Sequence, residues 1–275
     1  MKLLLLIMLN FLLLSKVMIA QTKEEIIKFN IEKVVTHIIT GNRPSMSTTY
    51  YDLKGNETQH EYIDSNFRIK FLYFYSDSLL IQSIQNEYIN DSLSKTVLVR
   101  FDYTFDAQGR ITATNIYNNN VLESCFKNIY LPSGNIDTAY TYRKLIFDNS
   151  VRLTDCCRFE YINGNTVSYC YDSLGWKSPR VTISNTIDSN NVNITRIREC
   201  INLGNEYNCR SYSTKVFYKD GRQVRFEDEK YKYFSEEFYE LNNKGLVTKH
   251  IRKSWNKDES QTQTDWHYYY FRNNQ

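Results

Sequence analysis

Chain breakers are rare in this sequence, with 3 prolines and 9 glycines among 275 residues. No Pro- or Ser-rich stretch and no shift of composition interrupts it after residue 20. Such stretches are what mark linkers, so residues 21–275 are expected to form a single domain. Beyond residue 20 there is also no apolar run near the roughly 20 residues that a membrane helix requires. Charge of one sign is lacking too: the formal net charge is +3, and Lys2 and Lys16 supply two of those charges. A near-neutral chain with interspersed signs offers no electrostatic footprint for nucleic acid or for an acidic membrane surface.

The markers of familiar chemistry are missing as well. His37, His60, His250 and His267 never occur as His-x-x-x-His or His-Glu-x-x-His, so no metalloprotease-type ligand spacing exists. There is no Gly-x-Ser-x-Gly elbow, no Walker loop and no Gly-x-Gly-x-x-Gly. Cys156-Cys157 is not a Cys-x-x-Cys pair, and the other cysteines are scattered, which leaves zinc and thioredoxin-like redox centres without support. No catalytic, cofactor-binding or metal-ligating residue is therefore assigned, and no cofactor is expected. An enzyme could arise here only from a site assembled in space.

What is present begins with Lys2, an almost unbroken apolar run from Leu3 to Leu14, and Ala20. A basic start, an apolar stretch of about 7–15 residues and a small residue at the cut make a secretory signal peptide. Residues 1–20 are assigned to it, which implies a periplasmic, cell-surface or secreted protein. Tyr (23) and Phe (15) are abundant, and aromatic enrichment favours strands. Eight glycines sit in short polar turns, among them Asp52 to Gly55, Asp106 to Gly109, Asn163-Gly164, Gly204-Asn205 and Asp220-Gly221. A tight hairpin needs positive φ at a turn residue, which Gly, then Asn or Asp, adopts at least cost.

Between the turns apolar residues recur at every second position, as with Val97, Val99, Phe101, Tyr103 and Phe105, the pattern of a half-buried strand. Only Lys23 to Asn30 reads as a turn or two of helix, ahead of a first strand near Glu32 to Thr40. The expected fold is all-β: a long coiled antiparallel meander of tandem hairpins. Roughly 12 residues per strand and turn give on the order of twenty strands, whereas open sheets rarely exceed about ten. The sheet must coil, close or fold onto itself, and the turns look short at both ends.

Asp52, Asp106, Asp172 and Asp220 resemble glycosidase carboxylates only superficially, since each stands beside or just before a turn glycine. Asp at that place bonds its own turn backbone. Asp188 to Asn193 begins like a calcium loop but lacks the later ligands, and reads as a loop. Trp266 to Phe271 fits a carbohydrate-stacking platform, the last strand of an outer-membrane barrel, or a terminal strand packing aromatics on both faces. Turn register assigns two disulfides. With Asn163-Gly164 as a two-residue loop, Cys157 falls opposite Cys170; with Gly204-Asn205 as the loop, Cys200 falls opposite Cys209. Both would be non-hydrogen-bonded sites, whose Cα spacing of about 4.5 Å suits a disulfide.

The segment Tyr103-Thr-Phe-Asp-Ala-Gln-Gly-Arg-Ile-Thr112 resembles a YD repeat, the tandem hairpin unit of Rhs-type and teneurin-type proteins. Weaker copies lie at Tyr51 to Thr58, Tyr171 to Lys177 and Tyr218 to Val224, and repeat-like turns extend over most of residues 45–250. The resemblance implies a coiled antiparallel sheet, which large relatives wrap as a shell around a toxin; this chain is short and shows no toxin domain after the repeats. Repeat residues are structural, so no catalytic position is carried over. The expected function is an exported, non-enzymatic binding or structural module that presents a sheet surface to a protein or carbohydrate of the cell envelope, with no nucleic-acid partner and no membrane-integral segment. The alternative is an outer-membrane β-barrel, against which Arg100, Asp102, Arg196, Arg198 and Arg225 stand within strands.

Overall fold

The computed structural model describes residues 22–272, apart from 42, 145–149, 163–164, 173–180, 203–208, 221 and 257–258. The assigned leader, residues 1–20, lies outside the described residues. Among the described residues the chain is one helix followed by 18 antiparallel strands, each paired with its neighbours in sequence. Helix α1 (Lys23–Lys28) is started by a reciprocal cap: Thr22 Oγ1 accepts from the Glu25 N–H, and Glu25 returns the bond to the Thr22 N–H. Strand β1 (Ile31–Thr40) pairs with β2 (Arg43–Tyr51) on one side and with the last strand, β18 (Glu259–Phe271), on the other. That second pairing settles how the sheet ends: it closes into an 18-strand barrel.

The turns explain the meander. At the α1 end the connections β2–β3, β6–β7, β8–β9, β12–β13 and β16–β17 share one geometry, in which the fourth residue donates to the first and the first donates to the fifth. Asp52 and Asp106 act as expected, each accepting two backbone N–H bonds within its own turn. Asp188 does the same, so the calcium-like segment is one more copy of this turn. Every connection at the α1 end is two or five residues long. At the opposite end β9–β10, β11–β12 and β13–β14 are joined by six, eight and six residues. The expectation of short turns at both ends is corrected: one rim is uniformly tight and the other carries the long connections.

Helix α1 reveals which face is concave. Lys23 Nζ donates to Asn56 Oδ1 at 2.6 Å, while Glu25 pairs with Arg222 at 3.4 Å. Asn56 precedes β3 (Glu57–Asp64) and Arg222 opens β15 (Arg222–Asp228). In the ring β2, β1, β18, β17 and β16 stand between them, about 24 Å or more along the sheet at about 4.8 Å per strand. Two residues of one helical turn reach both only across the hollow of a curved sheet. Ile26 packs there with Ile31, Val34 and Leu246, against Tyr51 and Tyr269. The lumen face therefore carries Val34, Tyr51 and Tyr269, and register propagates the assignment around the barrel.

Through Thr49, His60, Phe71 and Gln85, the lumen face includes Val97 and hence Val99, Phe101 and Tyr103 of β6 (Ser92–Phe105). The apolar stripe seen in the sequence lines the hollow. Arg100 and Asp102, between those residues, face outward, where Arg100 lies 4.3 Å from the Tyr117 ring. The same cross-strand pairing of cation and ring recurs on the convex face at Arg68 with Tyr88, 4.2 Å, and at Arg225 with Phe234, 4.8 Å.

Candidate functional site in the barrel lumen

Three adjacent strands build a buried polar cluster on the lumen wall: β16 (Tyr233–Leu241), β17 (Val247–Asn256) and β18. Register places Glu237 opposite Arg252, and His250 opposite both Tyr239 and Asp265. His250 Nδ1 stands 3.2 Å from Asp265 Oδ2, and its Nε2 hydrogen-bonds to Glu237 Oε2. Arg252 Nε donates to the other Glu237 oxygen at 2.9 Å, and Gln223 Nε2 donates there at 3.1 Å. Tyr239 stacks on the His250 ring at 4.8 Å and donates its hydroxyl to the Gln223 carbonyl.

Burial alone would push Glu237 up, but hydrogen bonds from His250 and the Arg252 charge hold it below the usual carboxylate range. Burial likewise opposes the charge on His250, and its bonds to Asp265 and Glu237 override that and raise it. Two acidic side chains thus pair with a histidine and an arginine inside one buried cluster. Beside it, His267 hydrogen-bonds to Thr36 through Nδ1 at 2.9 Å. Burial lowers His267 to about 4, leaving a neutral ring. None of these side chains carried a motif. His250 and Asp265 are 15 residues apart, and only hairpin register unites them. Among the described residues no group of His, Cys, Asp and Glu has the geometry to hold a metal ion.

A second lumen region lies across β1, on β2, β3 and β4 (Phe67–Ser76). Glu57 is paired in register with Tyr51, and the Glu57 charge is felt by Tyr51, Tyr73 and Tyr75. Phe71 and Tyr73 stack with 6.1 Å between ring centres. Burial raises Glu57 to about 7. Its nearest basic group is His60 Nδ1 at 3.6 Å, and burial holds that imidazole below its ordinary value. Toward the rim the region opens into a groove of about 520 Å³, lined by Tyr51, Asp52, Asn56, Tyr75, Asp77 and Arg272 among others.

The assigned disulfide positions fare differently. Cys157 of β10 (Val151–Ile162) stands opposite Cys170 of β11 (Asn165–Asp172), as the two-residue turn requires, and Cys157 is disulfide-bonded. Cys125 and Cys156 are free. The Cys200 to Cys209 register is corrected. Strand β13 (Asn193–Asn202) ends and β14 (Cys209–Lys219) begins with six residues between them, so Cys200 faces Ser211 and Cys209 faces Asn202. Gly204-Asn205 and the side chains of Cys170, Cys200 and Cys209 lie outside the described residues. The aromatic ending forms β18, with His267 and Tyr269 toward the lumen and Trp266, Tyr268 and Tyr270 outward.

Among the described residues no helix is long and apolar enough to cross a membrane, which says nothing of crossing by strands. No protein-family model matches the chain, and no curated protein sequence matches it. Among solved structures it is similar to a porin-like protein from Bacteroides uniformis ATCC 8492, at 12% identity and a TM-score of 0.43, covering 88% of this chain and 97% of that one.

Proposed function

We propose that the chain is an exported, non-enzymatic binding barrel of the cell envelope that stands in water and takes a small ligand into its lumen. The observation that carries this reading is the polarity of the convex face. Lys70, Arg100, Arg196, Arg198, Arg225 and Lys253 face outward within strands, in register with neighbours that share their side of the sheet. Each such cation at the midplane of a bilayer costs about 2–4 kcal/mol. The cost falls to about 0–1 kcal/mol near the interfaces, so six outward cations spread along the strands would still remove a large share of the stability of a typical fold, about 5–15 kcal/mol. In water the same residues form ordinary surface pairs, such as Arg100 with Asp102 at 3.3 Å and Arg225 with Glu227 at 2.5 Å. The lumen offers aromatic rings and a few polar groups, the composition of small-molecule sites, and 18 strands is a size at which barrels remain hollow.

A second reading, an outer-membrane barrel, is favoured by ring closure, by the even strand number and by the gathering of long connections at one rim. Fractionation separates the two. The proposed barrel is released from cells without detergent, stays monodisperse in buffer and leaves membranes on alkaline carbonate washing. Extraction by detergent alone, with gel mobility that changes on heating, would establish the membrane barrel instead.

A further inference from the structure

The groove of about 520 Å³ at the α1 rim is bordered by charges of both signs. Arg272 follows β18, Glu32 lies in β1, Lys54 in the turn after β2, and Asp77 in the turn after β4. Round the ring they alternate: positive, negative, positive, negative. Among the described residues, no ion pair joins any of the four to another group. Glu32 is the extra residue of a bulge between Ile31 and Lys33, a device that re-aims a side chain at a barrel rim. Arg272 donates to the Tyr51 carbonyl and, at 3.4 Å, to Asn30 Oδ1, both neutral acceptors. A guanidinium has five N–H groups, so most of its donors and all of its charge are left for a ligand. Asp52 is not part of this set, because the Lys54 and Asn56 N–H groups and the Asn56 amide occupy its carboxylate.

We propose that this groove binds a short peptide with free termini, its carboxylate on Arg272 and its ammonium on Asp77. Two uncompensated cations and two uncompensated anions in alternation match a zwitterion. A ligand of one charge would meet a like charge beside every opposite one, and a sugar would leave all four uncompensated. Size selects a peptide over a single amino acid. From β18 to β4 is four strand spacings, about 19 Å, and four or five extended residues span about 13–18 Å. Arg272 then receives the carboxylate in the forked geometry that guanidinium favours. Between the termini, Glu32 accepts from peptide N–H groups and Lys54 donates to peptide carbonyls, while Tyr51 and Tyr75 give the side chains an aromatic wall. The site deepens the lumen-binding reading and rests on it for a ligand that enters at this mouth of the barrel.

The test is calorimetric titration of the full mature chain at pH 7 with tetra-alanine, with its N-acetylated and its C-amidated forms, and with the doubly capped peptide. The free peptide is expected to bind, and each single cap to weaken it by about tenfold, the weight of one hydrogen bond to a charged group. Asp77→Asn is expected to remove the effect of acetylation and to keep the effect of amidation. Asp77 is exposed in its turn at φ +46°, a conformation that Asn tolerates, so this variant keeps the fold. Equal binding of the doubly capped peptide, or no binding of tetra-alanine at about ten millimolar, would overturn the proposal with the unaltered protein alone. Loss of both cap effects together in Asp77→Asn would overturn the placing of the termini. The same titrations run in detergent should the chain require it, so failure of the water-exposed barrel and failure of the peptide site are read separately.

Discussion

Replacing Glu57 by Gln is the most informative perturbation of the lumen, because it removes a charge and keeps the shape. In the folded chain burial raises this carboxyl from 4.5 to about 7. A raised acid contributes stability that is fully present below its unfolded value and lost as pH climbs through the folded one. At 1.36 kcal/mol per unit the loss between pH 4.5 and pH 7 is on the order of 3 kcal/mol. His267 opposes it: burial lowers that ring from 6.5 to about 4. Its stability is complete above pH 6.5 and is lost on acidification toward pH 4, by a similar amount. The two groups therefore offset in the natural protein between about pH 4.5 and 6.5. Urea unfolding followed by tryptophan fluorescence at pH 4.5, 6, 7 and 8 separates them. Glu57→Gln is expected to be more stable than the natural chain by about 3 kcal/mol at pH 8 and nearly equal to it at pH 4.5. Alone, its stability should fall steadily below pH 6.5. A difference between variant and parent that does not change with pH, or that grows toward acid, would refute the assignment of Glu57 as a buried carboxylate without a cation.

Gly55 and Gly109 adopt the same left-handed conformation, φ +73° and +75°, but an added methyl at Gly55 would meet Ile27 Cγ1 at 2.9 Å whereas Gly109 has open space. Gly109→Ala should cost about 1 kcal/mol from backbone strain alone, and Gly55→Ala clearly more, with faster proteolysis at α1 as helix and turn separate. Glu237→Gln leaves His250 and Arg252 without their shared carboxylate, and breaking a buried ion pair from one side costs about 3–5 kcal/mol; equal stability of variant and parent at pH 7 would show the cluster to be unimportant to the fold. Peptide mapping without reductant should recover Cys157 linked to Cys170, and reduction should cost about 3 kcal/mol for a loop this short; Cys157 linked to any other cysteine would contradict the hairpin register.

Much of the barrel was written locally. Alternation such as Val97 to Phe105 sets which residues share a face, and a turn such as Asp106 to Arg110 is specified by its own hydrogen bonds, so strands, bends and the Cys157 to Cys170 register follow from residues adjacent in the chain. The helix at Lys23–Lys28 was legible for the same reason, in Glu24-Glu25 followed by Ile26-Ile27, and the cap between Thr22 and Glu25 emerged only in the structure. Where the connection is longer, local chemistry loses its hold: six residues separate β13 from β14, and Gly204-Asn205 did not fix the register of Cys200 and Cys209. Closure lay beyond the sequence because the pairing of β1 with β18 joins residues such as Val34 and Tyr269, more than two hundred positions apart, and depends on twist and coiling summed over every intervening strand. Alternation defines two faces but not which is concave. Only the closed sheet, with α1 spanning its hollow, turned the aromatic stripe inward and the arginines out. It also gathered Glu237, His250 and Asp265 from three strands into one cluster and set Glu57 opposite Tyr51.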